Sequence, residues 1–138
     1  MYKRQNQSIS TPRGSIQLTI ENIEKNKGSI LVGIFKNPDT FLDRGAFIFG
    51  ESYPTNGKDS MQIVLPPIEY GTYAVGVVHD LNDNTYLDKN LFGVPTEPYG
   101  FYKNFRGKWN KPTFDDCSFV LESPSTSFSV SVSYWGDK

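Results

Sequence analysis

Between Ser127 and Tyr134 the chain reads SFSVSVSY, four serines alternating with Phe128, Val130, Val132 and Tyr134. Successive side chains of a strand point to opposite faces, so a strict period of two makes one face apolar and the other polar. Such a segment settles as a strand with its apolar side on a core and its hydroxyl side in water. A helix would spread the same residues around its circumference. The pattern recurs in SIQLTI (15–20), which aligns Ile16, Leu18 and Ile20. GAFIFG (45–50), MQIVL (61–65), TYAVGVV (72–78) and CSFVL (117–121) extend the set. SILVGIF (29–35) is apolar on both faces, the mark of a more central strand. About seven short strands are predicted in all.

Turn chemistry separates them: NKG, NPDT, TNGKD, PPIEYG and ESPS all fall between apolar runs. The helical period of about 3.6 is not sustained over a dozen residues anywhere. NPDTFLDRG (37–45) has room for one helical turn, capped by Asp39 or Thr40. The expected fold class is therefore all-β, an antiparallel β-sandwich.

A length of 138 residues suits one domain whose core needs no covalent staple. Residues 1–14, MYKRQNQSISTPRG, are polar and predict a flexible lead-in, with a single sandwich domain over 15–138. That start has a basic beginning and no apolar h-region, so an exported protein would have its signal peptide absent from this chain. No apolar run approaches the roughly 18 residues of a membrane span. A net charge of −1 argues against a nucleic-acid or anionic-membrane partner, which calls for a basic face. The single cysteine, Cys117, excludes an intrachain disulfide and a cysteine-based zinc site. Alternation in DDCSFVL sets Cys117 on the face of Phe119 and Leu121, which predicts a buried, inert thiol.

Two insertions break the strand rhythm. DLNDNTYLDKNLFGVPTEPYG (80–100) runs straight into FYKNFRGKWNKPTF (101–114), where aromatics interleave with basic residues. Loops of this length inside one domain are functional or disordered, and the aromatic density argues against disorder. A functional region is thus expected at one end of the sandwich.

From Asp80, oxygen-bearing side chains fall at the first, third, fifth and ninth places: Asp80, Asn82, Asn84 and Asp88. A calcium-binding EF-hand loop has ligands at those places, a backbone carbonyl at the seventh (here Tyr86), and a bidentate Glu at the twelfth. Alternate residues of a tightly curling loop point inward at one ion, and hard oxygens are what calcium takes. Here Thr85 stands where that loop needs Gly, Leu91 stands at the twelfth place, and no helices flank the segment. Glu97 is the nearest carboxylate downstream able to swing back as a replacement ligand. Asp83, between ligand places, is expected to face solvent. Asx-turns closed by the same Asp and Asn side chains are the alternative. The local net charge of −3 over residues 80–100 favours a cation.

Catalysis has less support. His79 is the only histidine, and it shares a face with Tyr73, Val75 and Val77. No nucleophile elbow accompanies it, and one histidine does not make a catalytic zinc site. Asp88 and Glu97 remain as a carboxylate pair for hydrolysis. Of the aromatic segment, Tyr99, Phe101, Tyr102, Phe105 and Trp109 form either a platform for a glycan, a small ligand or a peptide, or a lid over the open end. The lid is the commoner use. His79, Tyr99, Phe101, Tyr102 and Trp109 are the candidate ligand-binding residues.

GSILVGIFKNPDTFLD, LPPIEYGTYAVGVVHDLNDNTYLDKNLFGVPTEPYGF and the closing alternating strand resemble a family of small exported bacterial proteins known only as a domain of unknown function. The resemblance covers nearly all of residues 15–135. Its central block reads approximately H-D-x-N-x-N-G-x-L-D-x-N-x-x-G-x-P-x-E-x-Y-G-F. The positions that match it are His79, Asp80, Asn82, Asn84, Leu87, Asp88, Asn90, Gly93, Pro95, Glu97, Tyr99, Gly100 and Phe101. Thr85 and Tyr102 depart from it, the first where only Gly takes a left-handed turn freely. The resemblance implies a Greek-key sandwich of transthyretin or prealbumin type and export to the periplasm or beyond, with no established activity. LPPIEYGTYAV is also similar to carboxypeptidase-regulatory-like sandwich domains, which are accessory binding modules. The expected function is a non-enzymatic binding or accessory module with a cation-organised loop. A hydrolase and an ion-free structural module of the cell surface are the alternatives.

Overall fold

The alternation is realised most plainly in the first strand, β1 (Arg13–Glu21). There Ile16, Leu18 and Ile20 are buried while Gln17 and Glu21 are exposed. The protein is described here from a computed structural model, which covers residues 11–24, 27–42, 45–83, 96–102 and 112–134. Further strands among these residues are β2 (Ser29–Phe35), β3 (Phe49–Pro54), β4 (Met61–Val64) and β5 (Ile68–Glu69). They are followed by β6 (Gly71–Asp80), β7 (Tyr99–Phe101), β8 (Ser118–Leu121) and β9 (Ser125–Ser131).

The strands form two sheets. One has the order β9–β1–β4, with β5 against the start of β1. The other has the order β3–β2–β6–β7, with β8 pairing the first part of β6. Apolar side chains from both sheets fill one core, including Ile16, Leu18, Val32, Ile34, Val75, Val77, Leu121 and Val130. Burial of this kind is the main favourable term in folding. The all-β expectation holds, and β2 is central as its two apolar faces require.

Most pairings are antiparallel, but β9 runs parallel to β1, with Val130 opposite Ile20. Parallel neighbours need a long crossover, and here nearly the whole chain lies between the two strands. The corner at 122–124 carries the chain from β8 in one sheet to β9 in the other. It is fixed where the Ser15 N–H donates to the Pro124 carbonyl at 2.9 Å. Alternation within single strands is blind to this direction.

A second, aromatic cluster covers the outer face of the β2–β6–β7 sheet: Phe35, Phe41, Tyr99, Phe101 and Phe114, with Ala74 and Cys117. A 3₁₀ turn (Pro38–Thr40) brings Phe41 to it, and a single helical turn, α1 (Phe114–Cys117), brings Phe114. The 3₁₀ turn is capped by Asn37, whose side chain accepts from the Asp39 N–H, and not by Asp39 or Thr40. Phe41 meets Phe35 edge-on at 5.2 Å and Phe114 at 5.9 Å. The rings lie close because Gly50, Gly33 and Gly76 are cross-strand neighbours. That row leaves a trough in the sheet where Phe47, Phe35 and Phe101 approach the backbone.

Three expectations are adjusted by this arrangement. Cys117 is buried as expected, but it ends α1 and joins the outer cluster, apart from Phe119 and Leu121 in the main core. The strand expected at 45–50 begins at Phe49 and continues through the polar ESYP, because an edge strand is half in water. The PPIEYG turn contains the two-residue β5.

Candidate functional site

β6 ends at Asp80, and β7 begins again at Tyr99 as its antiparallel neighbour. The two roots of the intervening segment therefore lie side by side. The His79 N–H donates to the Pro98 carbonyl at 2.9 Å, which extends the ladder one rung past β7. Beyond that rung, Glu97 turns back. Its Oε2 accepts the Leu81 N–H at 2.8 Å, so a carboxylate from the far end of the loop sits against the residue after Asp80.

Asp80 is 1% exposed and Glu97 3% exposed. Burying a carboxylate is costly unless hydrogen bonds or opposite charge compensate it, and here two are buried at one loop root. Asn82 and Asp83 lie in water, as expected for Asp83. Asp83 takes a left-handed φ of 54° and its N–H donates to the Asp80 carbonyl at 3.4 Å. Asp80–Asp83 is thus a tight reversal that starts the loop. Asn84, Tyr86, Asp88 and Trp109 lie outside the described residues. Of the Asp88/Glu97 pair considered for hydrolysis, only Glu97 is described. Among the described residues no group of three or more His, Cys, Asp or Glu side chains could hold a metal ion.

His79 is fully buried and faces inward with Tyr73, Val75 and Val77, as alternation requires. Its Nε2 lies 2.8 Å from the Lys27 carbonyl. A carbonyl only accepts, so Nε2 carries the proton and Nδ1 is left as an acceptor. Nδ1 is buried with no hydrogen-bond partner among the described residues.

The turn that supplies the Lys27 carbonyl was read from the sequence only as a turn. Its Gly28 has a φ of +73°, and a Cβ there would stand 2.2 Å from the Asp80 carbonyl oxygen and 2.9 Å from the Leu81 Cα. Only glycine permits both the left-handed backbone and this approach. The Gly28 carbonyl in turn accepts from the N–H and hydroxyl of buried Thr55, at 3.2 and 3.3 Å. Nothing in local spacing could have linked residues 27, 55, 79 and 97. Pairing of β2 with β3 and with β6, and of β6 with β7, does so.

The described aromatic candidates, Tyr99, Phe101 and Tyr102, pack against other rings. Tyr99 and Phe101 are buried in the outer cluster. Tyr102 is half-buried, with its ring 4.6 Å from Phe128 and 5.2 Å from Phe119.

Among the described residues no helix is long and apolar enough to cross a membrane. No curated protein and no solved structure matches the chain. A family model does match it over residues 18–129, from within β1 to within β9. The chain belongs to the bacterial family described as "Uncharacterized protein conserved in bacteria (DUF2141)".

Proposed function

We propose that this protein is an exported binding or accessory module of transthyretin-like, Greek-key topology, whose end loop is organised by a calcium-like cation. The observation that carries the reading is the return of Glu97 to Leu81, beside Asp80. The loop lacks the bidentate Glu of an EF-hand, and Glu97 brings a buried carboxylate to the corresponding end. In this reading Asp80, Asn82, Asn84, the Tyr86 carbonyl and Asp88 supply the other oxygens, with water filling what remains. A divalent cation then adds a further partner for the two carboxylates buried at one loop root.

Without a bidentate Glu the site is weak, on the order of 10⁻⁴–10⁻³ M, as in extracellular modules. Such a site fills near millimolar calcium, which accords with an exported protein. Free calcium at roughly ten times the dissociation constant stabilises the fold by about 1.4 kcal/mol through linkage. Magnesium does less, because it holds its water and wants stricter octahedral geometry. The test is thermal unfolding with and without calcium, alongside titration calorimetry. Asp80→Asn removes the charge at nearly constant shape and should abolish the calcium shift. A wild-type melting temperature indifferent to calcium, with no heat on titration, overturns the reading in favour of a network of turns.

A further inference from the structure

The histidine has no ligand role in this reading, yet it ties three segments together at the loop root. Its ring N–H holds the Lys27 carbonyl at 2.8 Å, and its backbone N–H holds the Pro98 carbonyl at 2.9 Å. The residue after it is Asp80, and the residue before Pro98 is Glu97. A Cβ at Gly28, next to Lys27, would stand 2.2 Å from the Asp80 carbonyl oxygen and 2.9 Å from the Leu81 Cα, so the two backbones pass close together there. Any shift of the Lys27–Gly28 turn therefore moves the backbone that presents Asp80 and the N–H that holds Glu97.

We propose that His79 is a positioning residue for the loop. Held as the Nε2–H tautomer by the Lys27 carbonyl, its ring sets the spacing of Asp80 and Glu97, so that cation affinity depends on a side chain that never touches the ion. The inference rests on the cation reading above, and its geometric half can be read without any cation. A ligand-bearing segment is oriented here as a metal ligand is by its outer hydrogen bonds, whose loss costs about 10–100-fold in affinity. The difference is that the oriented groups are carboxylates on the neighbouring backbone.

Two substitutions separate the donor from the ring. His79→Gln places an amide N–H near the position of Nε2, whereas His79→Leu fills the space and donates nothing. In calcium-free protein, hydrogen exchange at the Leu81 amide reports the Glu97 contact directly. The expected result is a loss of Leu81 protection of roughly tenfold in His79→Leu, with protection in His79→Gln close to wild type. Calcium titrations should follow the same order, with a loss of about tenfold or more for His79→Leu. Unchanged Leu81 exchange in His79→Leu, or equal losses in both variants, overturns the proposal. If His79→Leu does not fold, nitrogen-15 correlation spectra of the wild-type ring decide the matter. The Nε2–H tautomer supports the proposal and the Nδ1–H tautomer overturns it. A wild-type chain that ignores calcium ends the cation reading, while the exchange comparison still decides whether His79 fixes the loop root.

Discussion

Replacing Gly100 by Ala tests how the two sheets are joined beside the candidate site. Gly100 is the middle residue of β7, and its backbone is not left-handed, so space alone demands glycine there. A Cβ at Gly100 would stand 2.3 Å from the Ser131 carbonyl oxygen and 2.7 Å from the Val130 Cγ1. One of those contacts is backbone, which no rotamer change relieves. The seam must open, and the bonds that hold it include a backbone pair. Tyr99 N–H donates to Ser133 O at 3.0 Å, and Ser133 N–H donates to Tyr99 O at 3.1 Å. Each is worth about 1 kcal/mol net, and forced overpacking adds about 1–3 kcal/mol. A loss of roughly 3–5 kcal/mol follows, a large part of the 5–15 kcal/mol that holds a typical domain folded.

Gly45 provides the control. Its φ is +79° and nothing lies within 4 Å of its notional Cβ, so Gly45→Ala carries only left-handed strain of about 1–2 kcal/mol. Urea unfolding reads both. With a slope of about 2 kcal/mol per molar, the midpoint should fall by roughly 1.5–2.5 M for Gly100→Ala and by roughly 0.5–1 M for Gly45→Ala. Equal midpoints for the two variants, or a Gly100→Ala protein as stable as wild type, would refute the close seam.

Val130 is fully buried while Ser129 is exposed, so Val130→Asp should cost several kcal/mol by burying an unpaired charge. Ser129→Asp should be nearly neutral, and matching denaturation midpoints would sink the face assignment of β9. Burial raises the Tyr73 hydroxyl above its ordinary value of 10, with the Glu69 carboxylate adding to the rise and Arg13 opposing it. The folded state therefore favours neutral Tyr73. That stability is fully present below pH 10 and is lost as pH climbs through the raised value. Tyr73→Phe should remove part of the alkaline loss while also losing the hydroxyl bond to the Glu69 carbonyl, and urea midpoints compared on either side of pH 10 would show it. Thr85→Gly should tighten calcium binding by easing the turn, measured by calorimetry against wild type.

Alternation alone determined which faces of β1, β2, β6 and β9 are buried, because burial within a strand is local and has a period of two. It also determined that His79 points inward, whereas Cys117 is shielded by the outer cluster and not by the face that alternation gave it. The run of Asp and Asn after His79 marked where a site would be sought, and Glu97 was singled out because the spacing lacked a closing carboxylate. Pairing partners were beyond it. The parallel match of β9 with β1 joins residues more than a hundred positions apart, and no local pattern encodes strand direction. The edge strand β3 was misplaced because half-exposed strands lose the hydrophobic signal that periodicity reads. The aromatic residues after Pro98 have the same composition whether they bind a sugar or close a core. Only packing in the cluster with Phe41 and Phe114 put Tyr99 and Phe101 inside, and contact with Phe119 and Phe128 left Tyr102 half-buried. The contacts that bring Lys27, Gly28, Thr55, His79 and Glu97 together are likewise tertiary. Backbone carbonyls and close approaches have no residue type of their own, so they leave no mark in a sequence until the sheets are assembled.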